Sequence, residues 1–199
     1  MKRRAMIAIT GASGAIYGTR LLRAMAEQFD VVYACISRHG LEVLATELGI
    51  AESCSEDAVR RVLGGPSDRV HVLEPDDYFT PPASGSARHE GMVIAPCSTG
   101  TAGRIASGVS NDLITRAADV CLKERRPLVL VVRETPLNII QLRNLTQLAE
   151  AGAVVMPACP AFYQRPETIE DLVQTVVERA LMHLGAEGGA SREWQVQDP

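Results

Sequence analysis

A chain of 199 residues is long enough for one well-buried α/β core and too short for a second full domain. Hydrophobic residues make up 46% of it and aromatic residues only 4%, as expected where helices cover both faces of a parallel sheet. The formal net charge of −4 argues against a general binder of nucleic acid or membrane surfaces, so an anionic ligand must meet locally placed Arg or Lys side chains.

The cysteines and the N-terminus both indicate a cytoplasmic protein. The five cysteines are odd in number and widely spaced, and they include no C-x-x-C pair, so neither a disulfide framework nor a zinc site is indicated. The basic residues 1–4 precede an apolar run that reaches Gly11 after a few residues, too short for a signal peptide or a membrane span. We expect a soluble protein that binds no metal.

The first predicted elements are a strand, a glycine-rich turn and a helix. Residues 5–10 predict a strand, residues 11–18 read GASGAIYG, and residues 15–28 predict a helix. Glycines let the backbone approach a phosphate, and free N–H groups at a helix start favour negative charge. The turn therefore predicts a phosphate site, the alternative being a tight turn without a ligand.

The run TGASGAIYG is also close to the dinucleotide fingerprint of short-chain dehydrogenases. A dinucleotide binder usually carries an acidic residue at the end of its second strand, but the strand predicted over residues 30–36 ends in Ser37, Arg38 and His39. No tyrosine is followed four residues later by the lysine that dehydrogenase catalysis requires. The hydroxyl of Ser37 suits a mononucleotide better than an adenosine ribose.

The next part of the chain predicts scaffold elements and one long loop. Residues 40–48 and 55–63 predict helices, and residues 70–73 predict a short strand. The loop over residues 74–90 contains PPASGS at residues 81–86. Because long loops in compact domains are usually functional, this one either covers a ligand or forms solvated surface.

Two strands buried on both faces organise the sequence. Residues 92–96 and 128–132 are short apolar runs bounded by breakers. The first opens into the hydroxyl-rich segment 97–101, and the second ends in Arg133 and Glu134. Because ligands of open parallel sheets bind outside the carboxyl ends of the strands, these polar strand ends predict a crevice.

Some side chains near this crevice have two interpretations on sequence alone. Arg133 and Glu134 follow a buried strand directly and require a partner, which is either a ligand or each other. Asn111 is the predicted cap of a helix over residues 112–123. At the end of that helix, Lys123 complements the helix dipole, so its spacing alone favours a structural role.

The last third of the chain predicts two helices and a strand. Residues 137–151 predict a helix, and residues 153–156 predict a strand that leads to Tyr163. An amphipathic helix follows and ends at Gly185. Arg179 lies off its apolar stripe, so spacing alone favours a solvated charge.

Several blocks together resemble the UbiX family of flavin prenyltransferases. They are TGASGAIYG, the strand-end Ser37, PPASGS, PCSTGT, NDLITRAADVCLKERRPLVLVVRETP and GAVVMPACPAFYQRPETIEDLV. The resemblance covers nearly the whole of residues 5–185. It implies an α/β protein with a flavodoxin-like or Rossmann-like parallel sheet in a three-layer αβα sandwich. Residues 1–185 would form the flavoprotein domain, and residues 186–199 a polar tail anchored by Trp194.

The resemblance also implies a reaction and its partners. A dimethylallyl group would pass from dimethylallyl phosphate to N5 and C6 of reduced FMN, without a metal. A UbiD-type decarboxylase would receive the prenylated FMN. The chain would form a homo-oligomer, with a dodecamer as one expectation, and would bind neither nucleic acid nor membrane.

The family's functional residues carry over by position. FMN would be held by Gly11, Ala12, Ser13, Ser37, Ser98, Thr99, Gly100, Thr101, Arg116 and Arg133. The donor phosphate would be bound by Lys123, Arg133, Tyr163 and Arg179, with Tyr163 and Arg179 expected from a neighbouring chain. Glu134 would protonate the leaving phosphate, and Ser13, or a phosphate oxygen reached through it, would accept the C6 proton.

Two other functions are compatible with a flavin site. Flavin-dependent cysteine decarboxylases share the fold, but their catalytic His has no convincing counterpart among the four histidines of this chain. A non-catalytic FMN-binding subunit would not need Lys123, Glu134, Tyr163 and Arg179 together, and the sequence contains all four.

Overall fold

The computed structural model describes residues 2–186, so residues 187–199 of the predicted tail, with Trp194, lie outside the described residues. The strands are β1 (Arg4–Ile9), β2 (Val31–Ile36), β3 (Val70–Leu73), β4 (Met92–Cys97), β5 (Leu128–Val132) and β6 (Val154–Pro157). The helices are α1 (Ala15–Gln28), α2 (Arg38–Leu48), α3 (Ser55–Leu63), α4 (Thr99–Ala106), α5 (Leu113–Lys123), α6 (Ile139–Glu150) and α7 (Ile169–His183). None of the helices in this part of the chain is long and apolar enough to cross a membrane.

The strands form one parallel sheet in the order β3-β2-β1-β4-β5-β6. This is the order of a doubly wound α/β sheet, in which the strand order reverses between β1 and β4. Helices α1, α2, α3 and α7 pack on one face, and α4, α5 and α6 pack on the other. The predicted α/β class and its three layers are confirmed.

Strand β1 illustrates why apolar runs cover both faces of this sheet. Ala5, Ile7 and Ile9 belong to the core that contains α1 and α7, whereas Met6 and Ala8 belong to the core that contains α5. Successive side chains of a strand point to opposite faces, so a sheet covered on both sides needs an apolar residue at every position. The continuous apolar runs, without alternation of apolar and polar residues, therefore correctly indicated strands that are buried on both faces.

Helix α1 packs closely on β4 because Gly18 has no side chain. A Cβ atom on Gly18 would lie 2.3 Å from the carbonyl oxygen of Ala95, a backbone atom that cannot move aside alone. We expect Gly18→Ala to lower the free energy of unfolding by about 2 kcal/mol because α1 must shift from the sheet. Urea unfolding followed by circular dichroism measures this, with Gly65→Ala as the control because a Cβ there meets nothing within 4 Å. Equal stability of the two variants would contradict the close packing.

Two features near α5 differ from the sequence prediction. Residues after β4 form the helix α4, with Ser98 as its N-cap, where the sequence predicted only an anion-binding loop. Asp112, rather than Asn111, caps α5, because its carboxylate accepts from the amide of Thr115 at 2.7 Å. Asn111 instead accepts a hydrogen bond from Arg104. Asn and Asp are equivalent caps in sequence, and a short glycine-containing helix has no apolar periodicity to reveal it.

His89 is buried at the amino edge of the sheet, just before β4. Its side chain is 7% exposed, and its Nε2 has no hydrogen-bond partner among residues 2–186. Burial, reinforced by the nearby Arg126 and opposed by the carbonyl of Gly91, lowers the pKa of His89 to about 4. The folded chain therefore keeps this imidazole neutral at a pH at which the unfolded chain protonates it.

Acidification is therefore expected to destabilise the chain through His89. Between pH 6.5 and about 4 the unfolded state binds a proton that the folded state does not, so the free energy of unfolding falls by about 3 kcal/mol. His89→Gln should lose less stability than the wild type over this interval, whereas the exposed His71→Gln should behave like the wild type. Urea unfolding at a series of pH values measures the difference. The same pH dependence in His89→Gln and wild type would contradict it.

Candidate active site

The loops after β1 and β4 meet at the point where the strand order reverses. Thr10 joins them, since its hydroxyl donates to the carbonyl oxygen of Pro96 at 2.8 Å and accepts from the amide of Ser98 at 2.9 Å. Thr10 is 1% exposed, so this connection is shielded from water. Because the carboxyl ends of the strands lie here, a ligand site is expected between these two loops.

A cleft of about 570 Å³ opens at this carboxyl edge, within the usual range for small-molecule sites of about 300–1,000 Å³. It is lined by Gly11, Ser37, Arg38, His39, Pro75, Ser98, Gly100, Thr101, Arg104 and Asp112. Five of these were predicted FMN contacts, namely Gly11, Ser37, Ser98, Gly100 and Thr101. The structure therefore brings these five residues together in one cleft, and their contact with FMN stays a prediction.

Two helices begin at the cleft with serine caps. The Ser37 hydroxyl accepts from the amide of Gly40 at 3.0 Å at the start of α2, and the Ser98 hydroxyl accepts from the amide of Thr101 at 3.2 Å at the start of α4. The first amides of a helix have no acceptor within the helix and favour an anion. A phosphate monoester fits this donor set of hydroxyls and helix-start amides.

The two loops that follow β1 and β2 lie very close together at Gly11. A Cβ on Gly11 would lie 2.4 Å from Cβ of His39, so only glycine lets the first loop approach α2 at this point. Gly100, in contrast, has nothing within 4 Å of its missing Cβ and faces open space. The glycines therefore have different roles, with Gly11 needed for packing and Gly100 leaving the cleft open.

Glu47, in the last turn of α2, reaches the start of α1 with its side chain and was not identified from the sequence. Its carboxylate accepts from the amides of Gly14 at 2.9 Å and Ala15 at 2.8 Å, and the Ser13 hydroxyl bonds to it as well. Burial alone would raise the pKa of Glu47, but these hydrogen bonds and the charge of Arg133 hold it below its ordinary value. A base is therefore coupled directly to Ser13.

Arg133 and Glu134 follow β5 and border the same site. Glu134 accepts from the Thr99 hydroxyl at 3.4 Å and from the Thr135 amide at 3.0 Å. Cγ of Arg133 lies 3.8 Å from the position that a Cβ on Gly14 would occupy. No ion pair joins Arg133 to Glu134 within residues 2–186, so both charges remain available for a ligand.

Two of the predicted cations, Lys123 and Arg179, lie away from this cleft in the same chain. Lys123 ends α5, close to Gly85 and Glu124, and Arg179 lies one turn before His183 near the end of α7. Both helices run from the carboxyl edge of the sheet to its amino edge, and α5 alone is about 16 Å long. One chain therefore does not bring Lys123 and Arg179 to Arg133.

Arg116 lies on α5, outside the residues that line the cleft. Its Nε donates to the carbonyl oxygen of Ala83 at 3.1 Å, and its Nη1 donates to Asp119 at 2.8 Å. The predicted flavin contact of Arg116 thus has no support from the geometry of a single chain. Arg116 instead fixes the PPASGS loop against α5.

The PPASGS loop runs along α5 rather than over the cleft of its own chain. Its first turn, Pro81–Ala83, packs on α5, and Arg126 donates to the carbonyl oxygens of Gly85 at 2.6 Å and Ala87 at 2.8 Å. Tyr163, which follows β6, is 61% exposed on the connection to α7.

Among residues 2–186 no group of three or more His, Cys, Asp or Glu side chains could hold a metal ion.

Comparison with known proteins agrees with a flavin-nucleotide site. The family model described as Flavoprotein matches residues 1–181. The flavin prenyltransferase UbiX of Pseudomonas aeruginosa is 45% identical over 198 residues, covering 98% of this chain and 95% of that protein. The flavin prenyltransferase UbiX of Archaeoglobus fulgidus is 42% identical over 184 residues, covering 92% of this chain and 96% of that protein.

Solved structures give the same result. AnUbiX in complex with FMN and dimethylallyl pyrophosphate matches with a TM-score of 0.85 and 39% identity over 98% of both chains. A dodecameric FMN-dependent UbiX-like decarboxylase from Escherichia coli matches with a TM-score of 0.82 and 37% identity, over 96% of this chain and 98% of that one. The cysteine decarboxylase TvaF, 14% identical over 93% of this chain and 99% of that one, with a TM-score of 0.63, shares the fold.

The family model defines this chain as a flavoprotein, and the fold and the cleft at the carboxyl edge of the sheet agree with that class. Within that class, the chain belongs to the UbiX family of flavin prenyltransferases. The resemblance seen in the sequence is confirmed.

Proposed function

We propose that the chain transfers a dimethylallyl group from dimethylallyl phosphate to N5 and C6 of reduced FMN. The carrying observation is the carboxyl edge of the sheet, which holds a cleft at the starts of α2 and α4, the Glu47 carboxylate at the start of α1, and Glu134 bonded to Thr99 of α4. Similarity to flavin prenyltransferases supports the proposal, as does the relative solved with FMN and dimethylallyl pyrophosphate.

FMN would be held by the loops that follow β1, β2, β4 and β5. Its phosphate would meet the amides that begin α2 and α4, together with the hydroxyls of Ser37, Ser98 and Thr101, because these donors line one cleft. The other predicted contacts belong to the same loops and are Gly11, Ala12, Ser13, Thr99, Gly100 and Arg133. Reduced FMN would supply the electron-rich ring that captures the dimethylallyl carbon.

The donor phosphate would be bound by side chains of more than one subunit. Arg133 lies at the carboxyl edge of a chain, whereas Lys123 and Arg179 lie toward the amino edge, so a neighbouring chain must supply the latter two. The dodecameric relative supports such an assembly. Large apolar side chains are exposed on α6 and after β6, as a subunit interface requires; they are Ile139, Ile140, Leu142, Phe162 and Tyr163.

Glu134 would protonate the departing phosphate. A dimethylallyl monophosphate leaves poorly, so the site must both protonate the phosphate and neutralise its charge. Arg133, Lys123 and Arg179 would neutralise the charge of the phosphate, as a metal ion does at many phosphate sites. Glu134 is already placed beside Arg133 in the chain and is oriented by Thr99.

Ser13 and Glu47 would remove the proton from C6 of the flavin. The proton would pass to Oγ of Ser13 while Ser13 passes its own proton to the carboxylate of Glu47. The Glu47 carboxylate bonds directly to the Ser13 hydroxyl, so the proton that Ser13 gives up has an acceptor within hydrogen-bond reach. The product, prenylated FMN, would then be released in the cytoplasm to a UbiD-type decarboxylase.

Phosphate release distinguishes this function from its alternatives. Under anaerobic conditions the purified chain should release inorganic phosphate from dimethylallyl phosphate only when reduced FMN is present. It should release no carbon dioxide from a peptide that ends in cysteine. Carbon dioxide without phosphate release would favour a cysteine decarboxylase, and neither product would favour a non-catalytic FMN-binding subunit.

A further inference from the structure

Arg104 is a half-buried cation in the cleft that none of the expected FMN contacts includes. It lies on α4, one turn after Thr101, and its side chain is 34% exposed. Its Nη1 donates to Asn111 Oδ1 at 2.9 Å and to Asp112 Oδ2, and its Nη2 donates to Thr101 Oγ1 at 3.3 Å. The guanidinium is therefore held in one orientation at the wall of the cleft.

The contacts of Arg104 leave donors for a ligand. Its Nε–H makes no hydrogen bond within residues 2–186, and Nη2 uses one of its two hydrogens on Thr101. A guanidinium whose position is already fixed loses little side-chain entropy when it binds a second partner. Arg104 lines the same cleft as Ser37 and Ser98, the two serine caps.

The carboxylate of Asp112 does not cancel this role. Its Oδ1 accepts from the amide and the hydroxyl of Thr115 at the start of α5, at 2.7 Å each, and only Oδ2 meets Arg104. Burial would raise the pKa of Asp112, but these bonds and Arg104 hold it below its ordinary value. Asp112 shares its negative charge between the start of α5 and Nη1 of Arg104, and the Nε–H and the second Nη2 hydrogen of Arg104 remain for an anion.

The other basic side chains that line the cleft are poorly placed for a buried phosphate. The side chain of Arg38 is 89% exposed and paired with Glu42, and His39 is exposed. The hydroxyls and amides of the cleft carry no net charge, and the chain as a whole carries −4. A phosphate monoester dianion gains most from a half-buried guanidinium, which offers two parallel hydrogen bonds as well as charge.

We propose that Arg104 binds the phosphate of the flavin nucleotide and gives the chain its preference for FMN over riboflavin. The inference rests on the proposed FMN site and adds a residue to it. Riboflavin has the same ring and ribityl chain without the phosphate, so a phosphate ligand affects FMN alone.

The test compares FMN with riboflavin by quenching of flavin fluorescence in the purified full-length chain. Arg104→Gln should raise the Kd for FMN about 10- to 100-fold, the range of a charge-assisted hydrogen bond, and leave the Kd for riboflavin unchanged. Arg104→Lys keeps the charge and loses the paired donors, so it should weaken FMN binding about tenfold. Arg60→Gln, which removes an Arg from an exposed ion pair on α3, should leave both constants unchanged.

Each outcome bears on one proposal. If both Arg104 variants bound FMN and riboflavin equally more weakly, Arg104 would only support the local fold through Thr101, Asn111 and Asp112. That result would overturn the inference. An unchanged Kd for FMN would overturn it as well, with the FMN site intact. A wild-type chain that binds neither flavin would overturn the proposed function itself.

Discussion

Replacement of Glu134 by Gln is expected to reduce prenyl transfer by about 100- to 10,000-fold, the usual contribution of a general acid. The amide side chain would keep the size and hydrogen-bonding capacity of the carboxyl group but could not protonate a departing phosphate. Because Glu134 bonds to Thr99 and lies outside the residues that line the cleft at the carboxyl edge, FMN should remain bound. The variant should therefore be yellow and inactive.

The loss is measured as the rate of prenylated-flavin formation at saturating dimethylallyl phosphate. Glu52→Gln is the control, because Glu52 is exposed and lines a separate pocket next to Arg60 and Arg61. The control should turn over at the wild-type rate. Wild-type turnover in Glu134→Gln would remove the acid role from this residue.

Subunit mixing is expected to restore activity to two inactive variants. Ser13→Ala lacks the hydroxyl next to Glu47, and Arg179→Ala lacks a cation at the other edge of the sheet, so each alone should lose prenyl transfer. If one site takes Ser13 from one chain and Arg179 from its neighbour, an oligomer of both variants contains some intact sites. Equal random mixing should recover about a quarter of the wild-type activity, since both neighbours must be the correct variant.

The mixing experiment needs two differently tagged chains, co-expressed and purified through both tags. The control replaces Arg179→Ala by the double variant Ser13→Ala, Arg179→Ala, which cannot form an intact site with Ser13→Ala. Recovery in the first mixture and none in the second is the expected result. Absence of recovery in a confirmed mixed oligomer would place both residues in the site of one chain.

The fold could be predicted well because its signals are local. Continuous apolar runs at β4 and β5 indicated strands buried on both faces, and the bounds of α1, α3 and β3 agree with the sequence prediction. Helix α4 could not be predicted, because its eight residues contain two glycines and no apolar stripe. The cap of α5 was displaced by one residue, because Asn111 and Asp112 are equally good caps and only tertiary contacts decide between them.

Position at the carboxyl edge could be predicted for residues that directly follow a strand. Ser37, Ser98 and Arg133 lie at that edge because the ends of parallel strands meet there. Glu47 and Arg104 lie inside helices, where a charged residue reads as solvated surface, and only packing shows that each faces the site. Lys123 and Arg179 carried a family signal, but sequence contains no information on which edge or which subunit presents them.

The central claim is that this chain makes prenylated FMN. The direct measurement is the mass of the flavin extracted after anaerobic incubation of the chain with reduced FMN and dimethylallyl phosphate, with Glu134→Gln in parallel. The wild type should yield FMN whose mass has increased by one dimethylallyl unit, and the variant should yield unchanged FMN. Unchanged FMN from a wild-type chain that has bound both substrates would contradict the account.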